Sequence, residues 1–246
     1  MMKMIMGMRV SRAVVGVLAL AGGALGPLGA AGPAQAALPT CAKVMTVTTA
    51  KLVECRPPAR TSRVRVSLVG AGGGGGGTSN FLSAISPGGG GGGGGALIEC
   101  TYTPTTEDLI FALSVGAGGK RGTNSTAGGK GGTTYSSLGG RAEADGGNGG
   151  KPGIIFATKP QAGKGGAGGS GTYPQTSCYD RTTGTRTPGS PGTSNNNGGT
   201  GGAAARPLPA GCPTTAGRGG KGSAGYTPAT PGRPGCARVE FLTGTN

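Results

Sequence analysis

The residues of this chain best suited to covalent chemistry are six cysteines: Cys41, Cys55, Cys100, Cys178, Cys212 and Cys236. The chain has no histidine, and no two cysteines are spaced C-x-x-C, so a zinc site lacks its usual ligands. An even number of cysteines in an exported chain implies disulfides. Cys178 and Cys212 bracket a polar stretch rich in Gly, Pro, Thr and Asn, and a bridge there would staple the base of an excursion. That pair is expected. The pairing of Cys41, Cys55, Cys100 and Cys236 stays open.

Other chemistry is weakly supported. Gly70-Ala71-Gly72-Gly73-Gly74-Gly75 matches the dinucleotide fingerprint G-x-G-x-x-G, but a helix must follow, and here more glycine follows. Glycine precedes Lys120, Lys130, Lys151, Lys164 and Lys221, yet none of these lysines is followed by the Ser or Thr that a phosphate loop needs. Such lysines read as solubilising charges on a glycine surface. Without histidine there is no ordinary triad base, and the eight acids are mostly isolated. Neither an enzyme nor a cofactor is expected.

Three positive charges, Lys3, Arg9 and Arg12, precede a small, apolar run from Ala13 to Leu28. Ala34-Gln35-Ala36 then supplies an A-x-A cleavage site. Residues 1–36 therefore read as a secretory signal peptide and residues 37–246 as the exported domain. Six glycines and two prolines between Gly16 and Pro33 argue against a membrane span. Lipidation at Cys41 would want a smaller residue than Thr40 before it. Every cysteine lies beyond the cleavage site. The net charge of +15 favours anionic partners, although the charges are scattered. The five tyrosines are too dispersed to form a stacking platform, so nucleic acid is not expected.

These residues must be positioned by very few apolar ones. Glycine accounts for 59 of 246 residues and proline for 18, beyond the roughly 25–30% at which an aperiodic chain reads as low complexity. The apolar islands alternate as strands do. Val64, Val66 and Leu68 share one face against Arg63, Arg65 and Ser67. Ile98, Cys100 and Tyr102 share another, as do Leu109, Phe111, Leu113 and Val115. Val44–Thr48 and Leu52–Cys55 suggest an opening hairpin, and Arg238–Leu242 a closing strand with Val239 and Phe241 inward. Thr103–Asp108 reads as a turn.

Between the islands run Gly72–Gly77 and Gly88–Gly95, both unbroken. Elsewhere glycine recurs every third residue, as in Gly116, Gly119, Gly122 and in Gly163, Gly166, Gly169. Three is the period of the extended polyproline-II-type helix. Without Cβ atoms such helices can pack side by side and pair their N–H and C=O groups between chains. The expected fold class is all-β: a small antiparallel sandwich-like scaffold carrying polyglycine-II helices and loops, stapled by disulfides. Residues 70–171 are expected in the bundle and 179–211 as a flexible insert.

Arg63-Val64-Arg65-Val66-Ser67-Leu68-Val69-Gly70-Ala71-Gly72 running into polyglycine resembles the opening of bacterial and phage glycine-rich domain proteins. Ala96-Leu97-Ile98-Glu99-Cys100, Leu113-Ser114-Val115-Gly116-Ala117-Gly118-Gly119 and the closing Arg238-Val239-Glu240-Phe241 extend the likeness. This class includes tip adhesins of some phage tail fibres and the glycine-rich domain of the anaplastic lymphoma kinase ectodomain. The resemblance implies a β-scaffold with bundled polyglycine-II helices. Its adhesin members carry recognition in loops at the end of the bundle, although the signal peptide and six cysteines depart from the phage pattern.

Two functional classes follow. One is a secreted adhesion module for an anionic wall polymer, a surface glycan or a surface protein. Its candidate contacts are the loop Asn80-Phe81-Leu82 between the glycine runs and the insert after Cys178. The other is a structural envelope or matrix protein with no specific ligand.

Overall fold

The computed structural model describes residues 38–78, 86–104, 110–137, 142–156, 159–172 and 197–244. The expected leader, 1–36, lies outside them.

The alternating islands become antiparallel strands in two facing sheets. The strands are β1 (Val44–Val47), β2 (Leu52–Cys55), β3 (Thr61–Val69), β4 (Leu97–Tyr102), β5 (Phe111–Ser114), β6 (Thr134–Ser136), β7 (Ala142–Ala144), β8 (Ile154–Phe156), β9 (Lys159–Gln161), β10 (Gly171–Thr172) and β11 (Cys236–Thr243). One sheet has the order β1-β11-β3-β4 and the other β10-β7-β6-β5-β2, while β8 and β9 form a separate hairpin. Val64, Val66, Leu68, Val239 and Phe241 from the first sheet meet Phe111 and Leu113 from the second in one buried cluster. Phe111 and Phe241 pack edge to face at 5.4 Å.

Val44–Thr48 and Leu52–Cys55 do not form the expected hairpin. β1 pairs with β11 and β2 with β5, so the two strands belong to opposite sheets. Each thereby buries its one inward end residue, Val47 or Cys55, against the shared core. β4 and β5 also lie in opposite sheets, and most of the expected turn Thr103–Asp108 between them lies outside the described residues. Ser67, placed with the arginines by alternation, is buried. Beside it, Val69 and Leu97 join Ala204, Ala205, Ala216 and Cys236 in a second apolar cluster.

Nine extended glycine segments are described beyond the sheets. We label them PG1 (70–77), PG2 (88–96), PG3 (116–123), PG4 (126–133), PG5 (145–153), PG6 (163–170), PG7 (197–205), PG8 (217–223) and PG9 (230–235). PG1 shows their geometry best. Successive amides of Gly70, Ala71 and Gly72 donate to Ala96, Gly132 and Arg233, on three different neighbours. Gly73, Gly74 and Gly75 repeat the rotation to Gly93, Gly129 and Thr230, and Gly76 and Gly77 continue it to Gly90 and Thr126. A threefold screw with no internal hydrogen bonds is the polyproline-II geometry. The carbonyls of PG1 accept in the same rotation from PG3, PG5 and PG8. PG1 thus has six neighbours, and PG2 has five among the described residues: PG1, PG5, PG6, PG7 and PG8.

This lattice explains the glycine pattern. PG1 from Gly72 to Gly77 and PG2 from Gly88 to Gly95 are surrounded, so every face there must lack a side chain, and these are the unbroken runs; the buried Ala71 and Ala96 stand only at the sandwich end. A Cβ on Gly74 would overlap the carbonyl of Lys120, one on Gly92 that of Gly73, and one on Gly93 that of Ala167. Peripheral helices keep glycine only where they face a neighbour. On PG6, Gly163, Gly166 and Gly169 donate to PG2, while Lys164 and Ala167 point outward and are exposed. The requirement is for absent side chains, not for unusual dihedrals. Among the described glycines, positive φ is confined to Gly211, Gly217 and Gly225.

Helices and strands are continuous: β3 runs into PG1, PG2 into β4, PG4 into β6 and PG9 into β11. Thr134 sits at the seam. Its fully buried hydroxyl donates to the Val69 carbonyl (2.8 Å) and accepts from the Gly116 amide (3.1 Å).

The segment 179–211 needs correction. Its part from 197 to 205 is PG7, whose Gly199, Gly202 and Ala205 amides donate to Gly89, Gly92 and Gly95. Polar Asn197 and Thr200 concealed the helix in the sequence, because they occupy its outward positions. The disulfide expectation also changes. Cys212 is bonded to Cys236, not to Cys178, because the turn at 209–212 packs beside the start of β11 with their Cα atoms 5.9 Å apart. Cys41 is bonded to Cys55, and Cys100 is also disulfide-bonded. Cys178 lies outside the described residues.

Candidate binding surface at the bundle tip

The bundle has two different ends. One merges with the sandwich. At the other, roughly 25 Å away at about 3.1 Å per residue, the chain reverses: PG3 into PG4, PG5 into PG6 and PG8 into PG9. The proposed contact loop Asn80-Phe81-Leu82 lies outside the described residues, but its flanks Thr78 and Ser86 are both at this tip.

Local sequence sets each turn. Between PG3 and PG4, the Thr126 amide donates to the Thr123 carbonyl at 2.8 Å, with Asn124 and Ser125 at φ 30° and 65°. Two positive φ values in a two-residue connection define a type I′ turn, where Asn is favoured. The Ser125 amide fastens this turn to the Thr78 carbonyl (3.1 Å). Between PG8 and PG9, Ala224 and Thr227 exchange both backbone hydrogen bonds around Gly225 (φ 51°) and Tyr226. Glycine first with positive φ marks a type II′ turn. Tyr226 stands at its apex, 74% exposed. On the β8–β9 hairpin Ile154 and Ile155 are also exposed. Three large apolar side chains therefore face solvent at one end of a glycine rod.

PG9 starts late. Its first residue, Thr230, is level with Gly75, whereas PG1, PG3 and PG8 continue past that level to Thr78, Thr123 and Ser223. The vacated position is a notch of about 190 Å³, lined by Thr78, Arg121, Asn124, Ser223, Pro228 and Ala229 among others. The Thr78 and Ser223 hydroxyls are buried and have no hydrogen-bond partner within the protein. Leaving a buried hydroxyl unpaired costs about 1–3 kcal/mol. Both backbones are fixed: Ser223 donates to Gly76 (2.9 Å) and accepts from Gly89 (3.0 Å), while Thr78 accepts from Ser125.

A second concavity follows the flank. Arg218, Lys221 and Arg233 line a groove of about 470 Å³ between PG8 and PG9, together with Thr215, Gly219, Thr230 and Pro231 and with no acid. Lys120, Lys130, Lys151, Lys164 and Lys221 are all exposed at outward positions, as the solubilising reading requires. Among the described residues no group of His, Cys, Asp or Glu could hold a metal. No helix among the described residues is long and apolar enough to cross a membrane. The disulfides are consistent with an extracellular protein.

The tip notch and the flank groove were not visible in the sequence. Each depends on where one helix starts relative to its neighbours, and no residue type signals that.

Comparison with curated proteins finds no match. A family model described as a glycine-rich domain matches residues 48–243, from just after β1 through the bundle to the end of β11. The chain belongs to this family of glycine-rich domain proteins.

Proposed function

We propose that the protein is a secreted, non-enzymatic adhesion module that holds anionic, glycan-bearing surfaces at the tip and flank of its glycine bundle. The observation that carries this reading is the asymmetry of the rod. The sandwich end is closed by strands and disulfides, while the opposite end carries the PG3–PG4 and PG8–PG9 turns, the β8–β9 hairpin, three exposed apolar side chains and a notch. Exposed apolar groups clustered on a surface mark interaction sites. The groove with three cations and no acid supports an anionic partner. The likeness to phage tip adhesins, whose bundle-end loops recognise surfaces, agrees with this placement.

The test is binding of the mature, oxidised protein to immobilised anionic wall polymers, neutral glycans and surface proteins. Saturable binding to an anionic polymer, weakened by salt and by the double change Arg218→Glu and Arg233→Glu, is the expected outcome. No saturable partner, with concentration-dependent self-association in sedimentation, would make the chain a structural envelope protein instead.

A further inference from the structure

We infer that the open side of PG2 is the docking face for a further glycine-type helix, formed by Thr187-Pro188-Gly189-Ser190-Pro191-Gly192 of this chain. The inference is independent of what the tip binds. Around PG1, donor and acceptor contacts alternate over six neighbours. PG2 follows the same rule: it accepts from PG1, PG6 and PG7 and donates to PG5 and PG8. PG5 bonds to both PG1 and PG6, and PG8 to both PG1 and PG7, so the open place lies between PG6 and PG7. The rotation along PG2 aims the amides of Gly88, Gly91 and Gly94 at that place. All three residues are buried, and no described residue accepts from their amides. Buried backbone amides are almost always paired. The acceptors therefore come from outside the described residues.

Residues 173–196 have the right ends and length. PG6 leads into β10 at the sandwich end, and PG7 begins with Asn197 at the tip. The chain between them must climb from sandwich to tip, and the open column lies directly between the two helices it joins. The crossing takes about eight residues at about 3.1 Å each. The start of the climb is anchored on the sandwich: Cys100 on β4 is disulfide-bonded, and Cys178 is the cysteine that the other two bridges leave for it.

Sequence identifies the crossing residues, because the open place on PG2 is equivalent to the place of PG9 on PG1. PG9 accepts from PG1 and runs antiparallel to it, between PG3 and PG8, which donate to PG1 and run parallel to it. PG6 and PG7 likewise donate to PG2 and run parallel to it, and a chain climbing from β10 to Asn197 runs against all three. PG9 reads Thr230-Pro231-Gly232-Arg233-Pro234-Gly235, and Thr187–Gly192 differs from it only in having Ser190 for Arg233. Each position of this pattern has a reason on PG9. The Thr230 and Arg233 carbonyls accept from Gly75 and Gly72, and their amides donate to PG8, while Gly232 and Gly235 donate to PG3. A Cβ on Gly232 would overlap the Gly72 carbonyl. Pro231 and Pro234 fall where no described helix stands, so the missing N–H costs no bond, and proline presets the φ that the extended helix needs. By the same pattern the Thr187 and Ser190 carbonyls accept from PG2, and Gly189 and Gly192 donate to PG6.

The experiment is amide hydrogen exchange, with NOE measurement, on the mature, oxidised chain. Gly91 and Gly94 should exchange as slowly as Gly92 and Gly93, at least about a hundredfold below an unstructured glycine. Gly189 and Gly192 should be protected likewise, and the Gly91 amide should show NOEs to residues of Thr187–Gly192. Gly189→Val should speed exchange at Gly91 and Gly94 about tenfold or more, while Gly93, bonded to PG5, stays slow. Fast exchange at Gly91 and Gly94 in the wild type would mean an empty column and overturn the inference. So would unchanged exchange at Gly91 in Gly189→Val. Protection at Gly91 without protection at Gly189 would also overturn it: lost on dilution, that protection would assign the column to a second copy of the chain, and kept on dilution, to another segment of the same chain. The wild-type exchange needs no variant to fold.

Discussion

The amide of Gly73 donates to the carbonyl of Gly93 across 2.9 Å, and a Cβ on Gly92 would overlap the carbonyl of Gly73. Contact and hydrogen bond are thus one constraint: PG1 and PG2 can approach closely enough to bond here only because the runs Gly72–Gly77 and Gly88–Gly95 carry no side chains. Gly92→Ala should therefore cost about 3 kcal/mol or more, at the upper end for overpacking, because backbone rather than a rotamer must move. Lys130→Ala, outward on PG4 and exposed, should stay within about 0.5 kcal/mol. Chemical denaturation of both variants measures the difference. Equal, small losses would mean that the bundle is not close-packed.

Hydrogen exchange offers a test that no disordered chain passes. On PG3, Gly119 and Gly122 donate to PG1, while Lys120 and Arg121 face solvent. On PG6 the donors are Gly163, Gly166 and Gly169. Slow amides should recur every third residue on these edge helices and fill every position from Gly70 to Gly77 on PG1. Uniformly fast exchange across PG1 would remove the bundle altogether.

How much of this was legible depended on which force set the position. Alternation identified Val64, Val66, Leu68, Phe111, Leu113, Val239 and Phe241 as core, because burial against one facing sheet leaves a period of two. The period of three marked Gly116, Gly119 and Gly122 as contact positions for the same kind of reason. It failed on 197–205, where Asn197 and Thr200 dilute the glycine although Gly199 and Gly202 hold the contact positions. Sheet assignment failed at Val44–Val47 and Leu52–Cys55, since short neighbouring strands read as a hairpin whether they pair with each other or with partners far along the chain. Cys236 lies 24 residues from Cys212, and only the arrival of β11 beside 209–212 brings them together.

That disulfide makes a further prediction. The Cys212–Cys236 bridge closes a loop containing PG8 and PG9, two of the six helices around PG1. The chain-entropy account gives about 3 kcal/mol for a loop of this length. The double change Cys212→Ser and Cys236→Ser should lower stability by about that amount and speed exchange at Gly219, Gly220 and Gly232 before Gly128 and Gly131 on the opposite side. Peptide mapping of the unreduced protein should recover Cys41 with Cys55 and Cys212 with Cys236. A Cys178–Cys212 peptide would overturn this arrangement.

Tyr226 separates binding from folding most cleanly. Its ring is 74% exposed at the apex of a turn whose geometry is set by Gly225 and by the paired Ala224 and Thr227, so the side chain contributes little to the fold. Tyr226→Ala should therefore leave the melting temperature within about 1 °C, consistent with a surface change of a few tenths of a kcal/mol. Gly225→Val, by contrast, forces a β-branched residue into positive φ and should destabilise the turn. If the tip is the binding end, Tyr226→Ala should reduce surface binding several-fold, since exposed aromatic anchors carry a disproportionate share of interface energy. An unchanged isotherm for Tyr226→Ala, alongside loss on Arg218→Glu with Arg233→Glu, would move the contact from the tip to the flank of PG8 and PG9. Loss of binding in Gly225→Val alone would show only that the turn must be folded.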